Sequence, residues 1–404
     1  MPILFFIPPN SYRQTSARRS YFMLEIFSRS RSVRSSPGGR DMNKAHPLHG
    51  SNKLKLGVFS TNADGGLAIS DVPERWTASW QDNLTAAQIA DRAGLEFLLP
   101  IARWRGFGGR NKVRERSFET FTWAAALSMA TDRIGLFMTV HVPLVHPLYA
   151  AKALATVDHI SQGRAGLNIV CGWNPKEFGM FGTPLVEKGY DQAVEWIEIL
   201  EKLYASAEPL DYEGTYYHLK EAVSRPASLQ VPRPVTMNAA FGGPGRDFAA
   251  ARCDYLFTTF SEMGDAGKHV ADIGERADKV GREVGVYTVA HVVCRPTMEE
   301  AQAYYTRYAV DLADHEAVDA HMAGKKEFSQ SHDPHAYERY RQRFAGGAGT
   351  YPLVGTPETI AAEMAAIAAH GYQGIALSFV NYTRELPYFC DHVLPLLRQA
   401  GLRE

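Results

Sequence analysis

An amide interrupts the apolar run Leu167–Val170. Asn168 is the one polar side chain in a stretch that otherwise reads as a buried strand. If Leu167 and Ile169 face one way, Asn168 faces the other. A buried amide needs a partner, either the backbone or a bound ligand. The run ends at Gly172–Trp173 and passes into a polar segment that carries Glu177, placed to orient a donor or simply to face solvent. Upstream, Thr139-Val140-His141 puts a hydroxyl and an imidazole on one strand face. His141 is thus a candidate hydrogen-bonding group or proton carrier near neutral pH, or a packed core histidine. The stretch Arg103-Trp104-Arg105-Gly106-Phe107-Gly108-Gly109 mixes guanidinium groups, aromatic rings and glycines. That composition suits a flat anionic ligand, and also a surface loop anchored by Trp104 and Phe107. Phe241-Gly242-Gly243-Pro244-Gly245 leads into a helix start, which makes either a phosphate cradle or an ordinary strand-to-helix turn. It is not the GxGxxG pattern of a dinucleotide fold. The chain has no Walker loop, GxSxG elbow or HExxH pair.

These groups need strands that end together. Strands are expected at Leu54–Phe59, Phe97–Pro100, Ile134–Thr139, Gly166–Val170, Val235–Asn238, Tyr255–Thr258, Tyr287–Cys294 and Gly374–Phe379, where β-branched and apolar residues cluster. Amphipathic segments alternate with them, among them Pro147–Ile160, Tyr190–Tyr204 and Pro357–Ala369. Helix starts are signalled at Ser117, at Thr297 and at Thr356-Pro357. Eight strands alternating with helices predict an α/β fold, a single (β/α)8 TIM barrel over 53–404. Each chemical segment leaves the C-terminal end of a strand, where such barrels carry their sites. Residues 313–350 fit neither period and hold His315, His321, His332 and His335. They are expected to form an insertion before the last strand, as a lid, an oligomer contact or a surface excursion.

Of the 404 residues, 45% are hydrophobic and 22% charged, with a net charge of −1. This is globular composition without a nucleic-acid footprint, and no apolar run reaches the length of about 20 residues that spans a bilayer. Cys171, Cys253, Cys294 and Cys390 are scattered, with no CxxC pair. A structural zinc site is not expected, and a reducing, cytoplasmic setting is the simpler reading. The first 50 residues hold seven Arg and eight Ser but only Glu25 and Asp41 as acids. Residues 1–52 are expected to be a disordered extension or an upstream start with the true one at Met42; a transit peptide is the alternative.

Several motifs in order carry a resemblance: LGVFSTNADGGLAIS, RGFGG, SQGRAGLNIVCGW with its KEF tail, GYD before a helix, and VGTPETIAAEM followed by GIALSF. Together they resemble the luciferase-like flavin-dependent monooxygenases, most closely the pyrimidine monooxygenase group, which opens the uracil ring. The resemblance spans Lys55 to Leu397. It implies FMN at the barrel mouth, reduced by a separate NAD(P)H-dependent flavin reductase, with O2 and a small heterocyclic or aromatic substrate as co-reactants. It also implies a homodimer or homotetramer. Asn168 and Glu177 match FMN-contacting positions, as do Ala102 and Arg103 ahead of the RGFGG element. Tyr190, with Lys188 and Gly189 beside it, matches part of the phosphate site, and Gly242 and Gly243 fall where the family has a phosphate-binding serine. Thr139, Asn168, Trp173 and Leu99 match the pocket that places dioxygen beside the flavin. Arg103 stands for a family lysine, Gly189 for an arginine, and His141 for a small residue. Arg103 and His141 are therefore the candidate substrate contacts. Sulfone or alkanesulfonate oxygenation, deazaflavin-dependent dehydrogenation and flavin binding without turnover are the rival activities of the same fold.

Overall fold

The computed structural model describes residues 46–184, 189–323 and 334–404, the side chains of 334–340 excepted. The chain alternates β1 (Lys55–Phe59), α1 (Trp80–Ala93), β2 (Phe97–Leu99), α2 (Thr120–Ser128), β3 (Gly135–His141), α3 (Pro147–Ser161) and β4 (Ala165–Val170). A short α4 (Pro175–Met180), the long α5 (Gly189–Ala205) and a hairpin of β5 (Leu210–Glu213) and β6 (His218–Ala222) follow. Then come β7 (Val235–Ala239), α6 (Gly243–Arg252), β8 (Tyr255–Thr258), α7 (Ala266–Asp278) and β9 (Gly285–Cys294). The last part is α8 (Met298–Thr306), α9 (His315–Ala323), α10 (Pro334–Gly347), β10 (Tyr351–Gly355), α11 (Pro357–Ala369), β11 (Gly374–Ser378) and α12 (Tyr382–Gln399).

Eight parallel strands close a barrel in the order β1-β2-β3-β4-β7-β8-β9-β11, with β11 returning to β1. They are the eight strands expected from the sequence. β10 and the β5–β6 hairpin were not expected. Among the described residues, β10 pairs only with the C-terminal half of β9, Tyr351 beside Ala290 through Gly355 beside Cys294. Its proline at Pro352 and its position outside the barrel mark it as an edge strand. The described part of the 313–350 insertion is helical, α9 and α10, and it leads into this extra strand.

Alternation along each strand separates two cores. Leu56, Leu98, Leu136, Leu167, Ile169 and Leu256 face the helices. Phe97, Leu99, Phe137, Met237, Tyr255 and Tyr287 fill the barrel. Inside, aromatic rings lie against glycines: a Cβ on Gly57 would overlap Phe97, and one on Gly374 would overlap Tyr287. These glycines are required by close approach. The N-terminal end is plugged by the turn Pro47–His49, whose Leu48 joins the interior cluster. The packed chain therefore begins upstream of Lys53, while residues 1–45 lie outside the described residues.

Helix starts follow the local chemistry. Thr297 and Glu300 form a reciprocal capping box, and Thr356 caps α11 ahead of Pro357. Ser117 does not cap α2. Glu119 does, accepting from Phe121 N and Thr122 N, while Ser117 Oγ donates to the Arg103 carbonyl at 2.6 Å. The hydroxyl is used by the loop that precedes the helix, and the carboxylate two residues later takes the free N–H groups instead.

Candidate active site

β3 and β4 run side by side with Thr139 beside Asn168. Both side chains point into the barrel near its C-terminal mouth, since Leu167 and Ile169 belong to the helix-facing core. Asn168 Nδ2 donates to Thr139 Oγ1 at 3.1 Å, and Thr139 Oγ1 donates to the Pro100 carbonyl at 2.5 Å. That chain leaves Asn168 Oδ1 buried with no partner among the described residues. Two residues further along β3, His141 is also buried, with its Nδ1 unpartnered in the same sense. Burial, helped by the Arg103 charge, pushes its pKa down to about 4. His141 is therefore neutral near pH 7 and available as a hydrogen-bonding group, which corrects the expectation of a proton carrier at neutral pH. Leu99 lies in the interior cluster.

Glu177 is no solvated surface acid. Asn174 caps α4, Pro175 opens it, and the first turn points Glu177 inward with 1% exposure. Its Oε1 accepts from Trp104 N at 2.7 Å and Arg105 N at 3.2 Å, and its Oε2 holds Arg103 Nη1 at 2.9 Å. One carboxylate thus fixes the loop after β2. Asn62 fixes the same loop from the other side, donating to Ile101 O and Phe118 O and accepting from Ile101 N. The glycine-aromatic segment is shaped by this frame: Phe107 stacks on His321 with centroids 3.6 Å apart and lies nearly parallel to Trp173 at 6.0 Å. Arg103 sits over both rings, at 4.9 Å from Phe107 and 5.6 Å from Trp173. Ala102 precedes it, half-buried.

Around the mouth, β7 ends in the open turn at Gly242 and Gly243, where an added Cβ would meet nothing within 4 Å. Gly242 caps α6 without a side-chain acceptor, so the first N–H groups of that helix are free of a side-chain cap. Gly245, one turn in, sits against the Tyr190 ring and hydroxyl. Burial pushes Tyr190 up to about 12, so it is a hydrogen-bond donor at neutral pH. Gly189 packs against Cys171, and a Cβ there would lie 3.0 Å from the Cys171 Cβ. This is tighter than ordinary contact, so a larger residue at position 189 requires Cys171 to shift. Lys188 lies outside the described residues.

The structure thus groups Thr139, Asn168, His141 and Leu99 on the interior wall. Arg103, Glu177 and Trp173 form the adjoining loop cluster, and Tyr190, Gly242 and Gly243 stand at a helix start on the neighbouring strands. Three residues of the mouth were not singled out in the sequence. His291 faces the interior two residues beyond Val289; its Nδ1 contacts Thr350 Oγ1 at 2.9 Å and its Nε2 has no partner among the described residues. Burial pushes its pKa down to about 3. Asn62 and Arg114 are the others. His321 stood out only as one of several histidines in an aperiodic stretch, and no local signal could pair it with Phe107.

The luciferase-like monooxygenase family profile matches residues 54–374, so the chain belongs to the luciferase-like monooxygenases, a family of flavin-dependent oxidoreductases. Among its relatives, the FMNH(2)-dependent dimethylsulfone monooxygenase of Pseudomonas putida is 30% identical over 359 residues, covering 86% of this chain and 96% of that protein. Pyrimidine monooxygenase RutA of Acinetobacter baylyi is 28% identical over 359 residues, covering 85% and 95%. In fold the chain is similar to a riboflavin lyase in complex with modified FMN and riboflavin (TM-score 0.78, 23% identity, 87% and 93% covered). It is also similar to the long-chain alkane monooxygenase LadA (TM-score 0.77, 20% identity, 88% and 93% covered).

Proposed function

We propose that this chain is the oxygenase component of a two-component system. It would take reduced FMN from a separate NAD(P)H-dependent reductase and, with O2, oxygenate a small heterocyclic, pyrimidine-like or aromatic substrate. The observation that carries this reading is the pair of buried, unpartnered polar atoms, Asn168 Oδ1 and His141 Nδ1, on one barrel wall. Leaving such atoms without a bond costs about 1–3 kcal/mol each, and a bound polar ring removes that cost. The names of the relatives, one FMNH(2)-dependent and one acting on a pyrimidine, support the same assignment.

The residues fit a phosphorylated flavin. The free N–H groups at the start of α6 and the Tyr190 hydroxyl suit its phosphate, and the Thr139–Asn168 pair suits the polar edge of its ring. When bound, reduced FMN supplies the electrons that activate O2. The protein's own groups do the rest. Glu177 keeps Arg103 from swinging out and holds the loop that carries Phe107. His141, neutral and buried, accepts from or donates to a substrate carbonyl or ring nitrogen. The Phe107–His321 stack joins the loop after β2 to the insertion.

A sulfone substrate is the second reading, favoured by the dimethylsulfone relative. The deciding measurement is O2 uptake and product mass with FMN, a generic flavin reductase and NADH, over uracil, thymine, pyridinones, chlorophenols and dimethylsulfone. Incorporation of one atom from labelled O2 into a heterocycle is expected. Incorporation only into the sulfone would move the substrate class, and tight flavin binding without any product would leave a carrier or a dehydrogenase.

A further inference from the structure

Arg114 lies in the loop after β2 and is 4% exposed. Its Nε donates to the Gly66 carbonyl at 3.0 Å and its Nη2 reaches the Leu67 carbonyl at 3.5 Å. Its Nη1 has no hydrogen-bond partner among the described residues. The guanidinium carbon is 5.7 Å from the Phe107 centroid, and Arg103 approaches the same ring. Two buried cations therefore flank one aromatic side chain at the mouth, with one carboxylate between them, and Glu177 is committed to Arg103.

The nearby acids are all engaged elsewhere. Asp64 pairs with Arg75 at 2.6 Å, and Glu115 accepts from Gly106 N at 3.0 Å. Other buried arginines have acids of their own: Arg403 with Glu96, Arg233 with Asp254, Arg246 with Asp272. Arg164 donates to four carbonyls and a hydroxyl, which fastens it in place. Arg114 has neither an acid nor a full set of carbonyls. A desolvated guanidinium left in this state is costly, and pairing it with an anion recovers the cost through charge-assisted bonds.

We propose that Arg114 is an anion-recognition residue of the substrate pocket, and that the substrate carries a negatively charged group, a carboxylate or a similar oxyanion, seated beside Phe107. This rests on the reading of the mouth as the oxygenase site and names its substrate class more narrowly. Burial and the neighbouring Arg103 push the Arg114 pKa down to about 9, so the group is still charged at neutral pH. A planar guanidinium with a free edge suits a carboxylate better than a point charge does. The backbone supports the placement, since Arg114 is held at φ 62, a conformation a non-glycine residue adopts at some cost.

The test compares matched acid and amide pairs on the FMN-loaded protein: benzoate with benzamide, nicotinate with nicotinamide, acetate with acetamide. FMN loading is followed separately by quenching of flavin fluorescence. Failure to bind FMN sinks the oxygenase reading, whereas FMN binding with no acid preference sinks this proposal alone. Titration calorimetry is expected to show the acids binding at least about tenfold tighter than their amides, the effect of one charge-assisted contact. Raising the ionic strength should narrow the gap. Arg114→Gln should bring each pair within about twofold while FMN affinity holds, and Arg114→Lys should keep only part of the preference, since it retains the charge but not the planar fork. The proposal is overturned by amides that bind as well as acids in the wild type, by no acid binding at millimolar concentration, by a preference that survives Arg114→Gln, or by loss of FMN binding in a folded Arg114→Gln protein. If Arg114→Gln does not fold, the wild-type pairs and the lysine variant still decide it.

Discussion

At the scale of single residues, the mouth is organised by one carboxylate. Glu177 takes three bonds from residues 103–105, and its loss would free a buried guanidinium and two N–H groups at once. Glu177→Ala should destabilise the protein by about 3–5 kcal/mol, as breaking a buried ion pair does. It should also weaken flavin binding, because the loop carrying Phe107 loses its anchor. Chemical denaturation and flavin titration of the same variant check both effects, and a variant of wild-type stability would show that the pair is dispensable. His141 makes a separate prediction. Its folded pKa, about 4, lies below the ordinary value of 6.5, so the unfolded chain binds the extra proton. Above pH 6.5 this group contributes no pH dependence; between 6.5 and 4 stability falls as pH falls. The full effect is up to about 3 kcal/mol for this side chain. His46 and His291, both pushed down to about 3, add to the wild-type loss. The difference between wild type and His141→Asn, measured by denaturation at pH 7 and at pH 4.5, isolates the His141 share. An identical pH dependence in the two proteins would refute the assignment.

At the scale of elements, the start of α6 and the start of α5 meet where Gly245 touches Tyr190. The absence of a side chain at Gly242, Gly243 and Gly245 leaves room for a group at the helix N-terminus, and Tyr190 supplies a hydroxyl beside it. Tyr190→Phe should lower FMN affinity by about 10- to 100-fold, the worth of one hydrogen bond to a charged acceptor, and leave riboflavin affinity unchanged. Equal losses for FMN and riboflavin would place Tyr190 at the ring rather than the phosphate. Gly245→Ala sits between Ala240 and Tyr190 with no space for a Cβ, so it should reproduce the same selective loss through displacement of the helix start.

At the scale of the whole molecule, stability and chemistry sit at opposite ends of the barrel. At the N-terminal end, Arg403 donates to the Leu54 and Gly94 carbonyls and pairs with Glu96 at 2.8 Å. Glu96 in turn accepts from Leu56 N at 2.7 Å. The C-terminal residues of the chain thereby tie the entry of β1 to that of β2. Arg403→Ala should cost about 3–5 kcal/mol of stability with flavin affinity unchanged at a temperature where the variant is folded. A parallel loss of flavin affinity, by fluorescence titration, would mean that the two ends are coupled.

The sequence alone determined the eight barrel strands, the (β/α)8 class and the family, because periodicity, caps and turns are local properties and the motifs are contiguous. It also placed Asn168 facing inward, since alternation along a strand depends only on its immediate neighbours, and it placed the glycine-rich start of α6. The three strands outside the barrel were beyond it: β10, for one, exists because β9 runs past the barrel and offers a free edge, which no local pattern reports. Tertiary structure alone decided what each site residue does. Glu177 and Arg103 are 74 positions apart, and only folding turns a solvated acid into a buried anchor. The stacking of His321 on Phe107 joins an insertion to a loop more than 200 residues away. The titration of His141 and the missing partner of Arg114 follow from burial, and burial is a property of everything packed around a side chain rather than of the residues beside it in the chain.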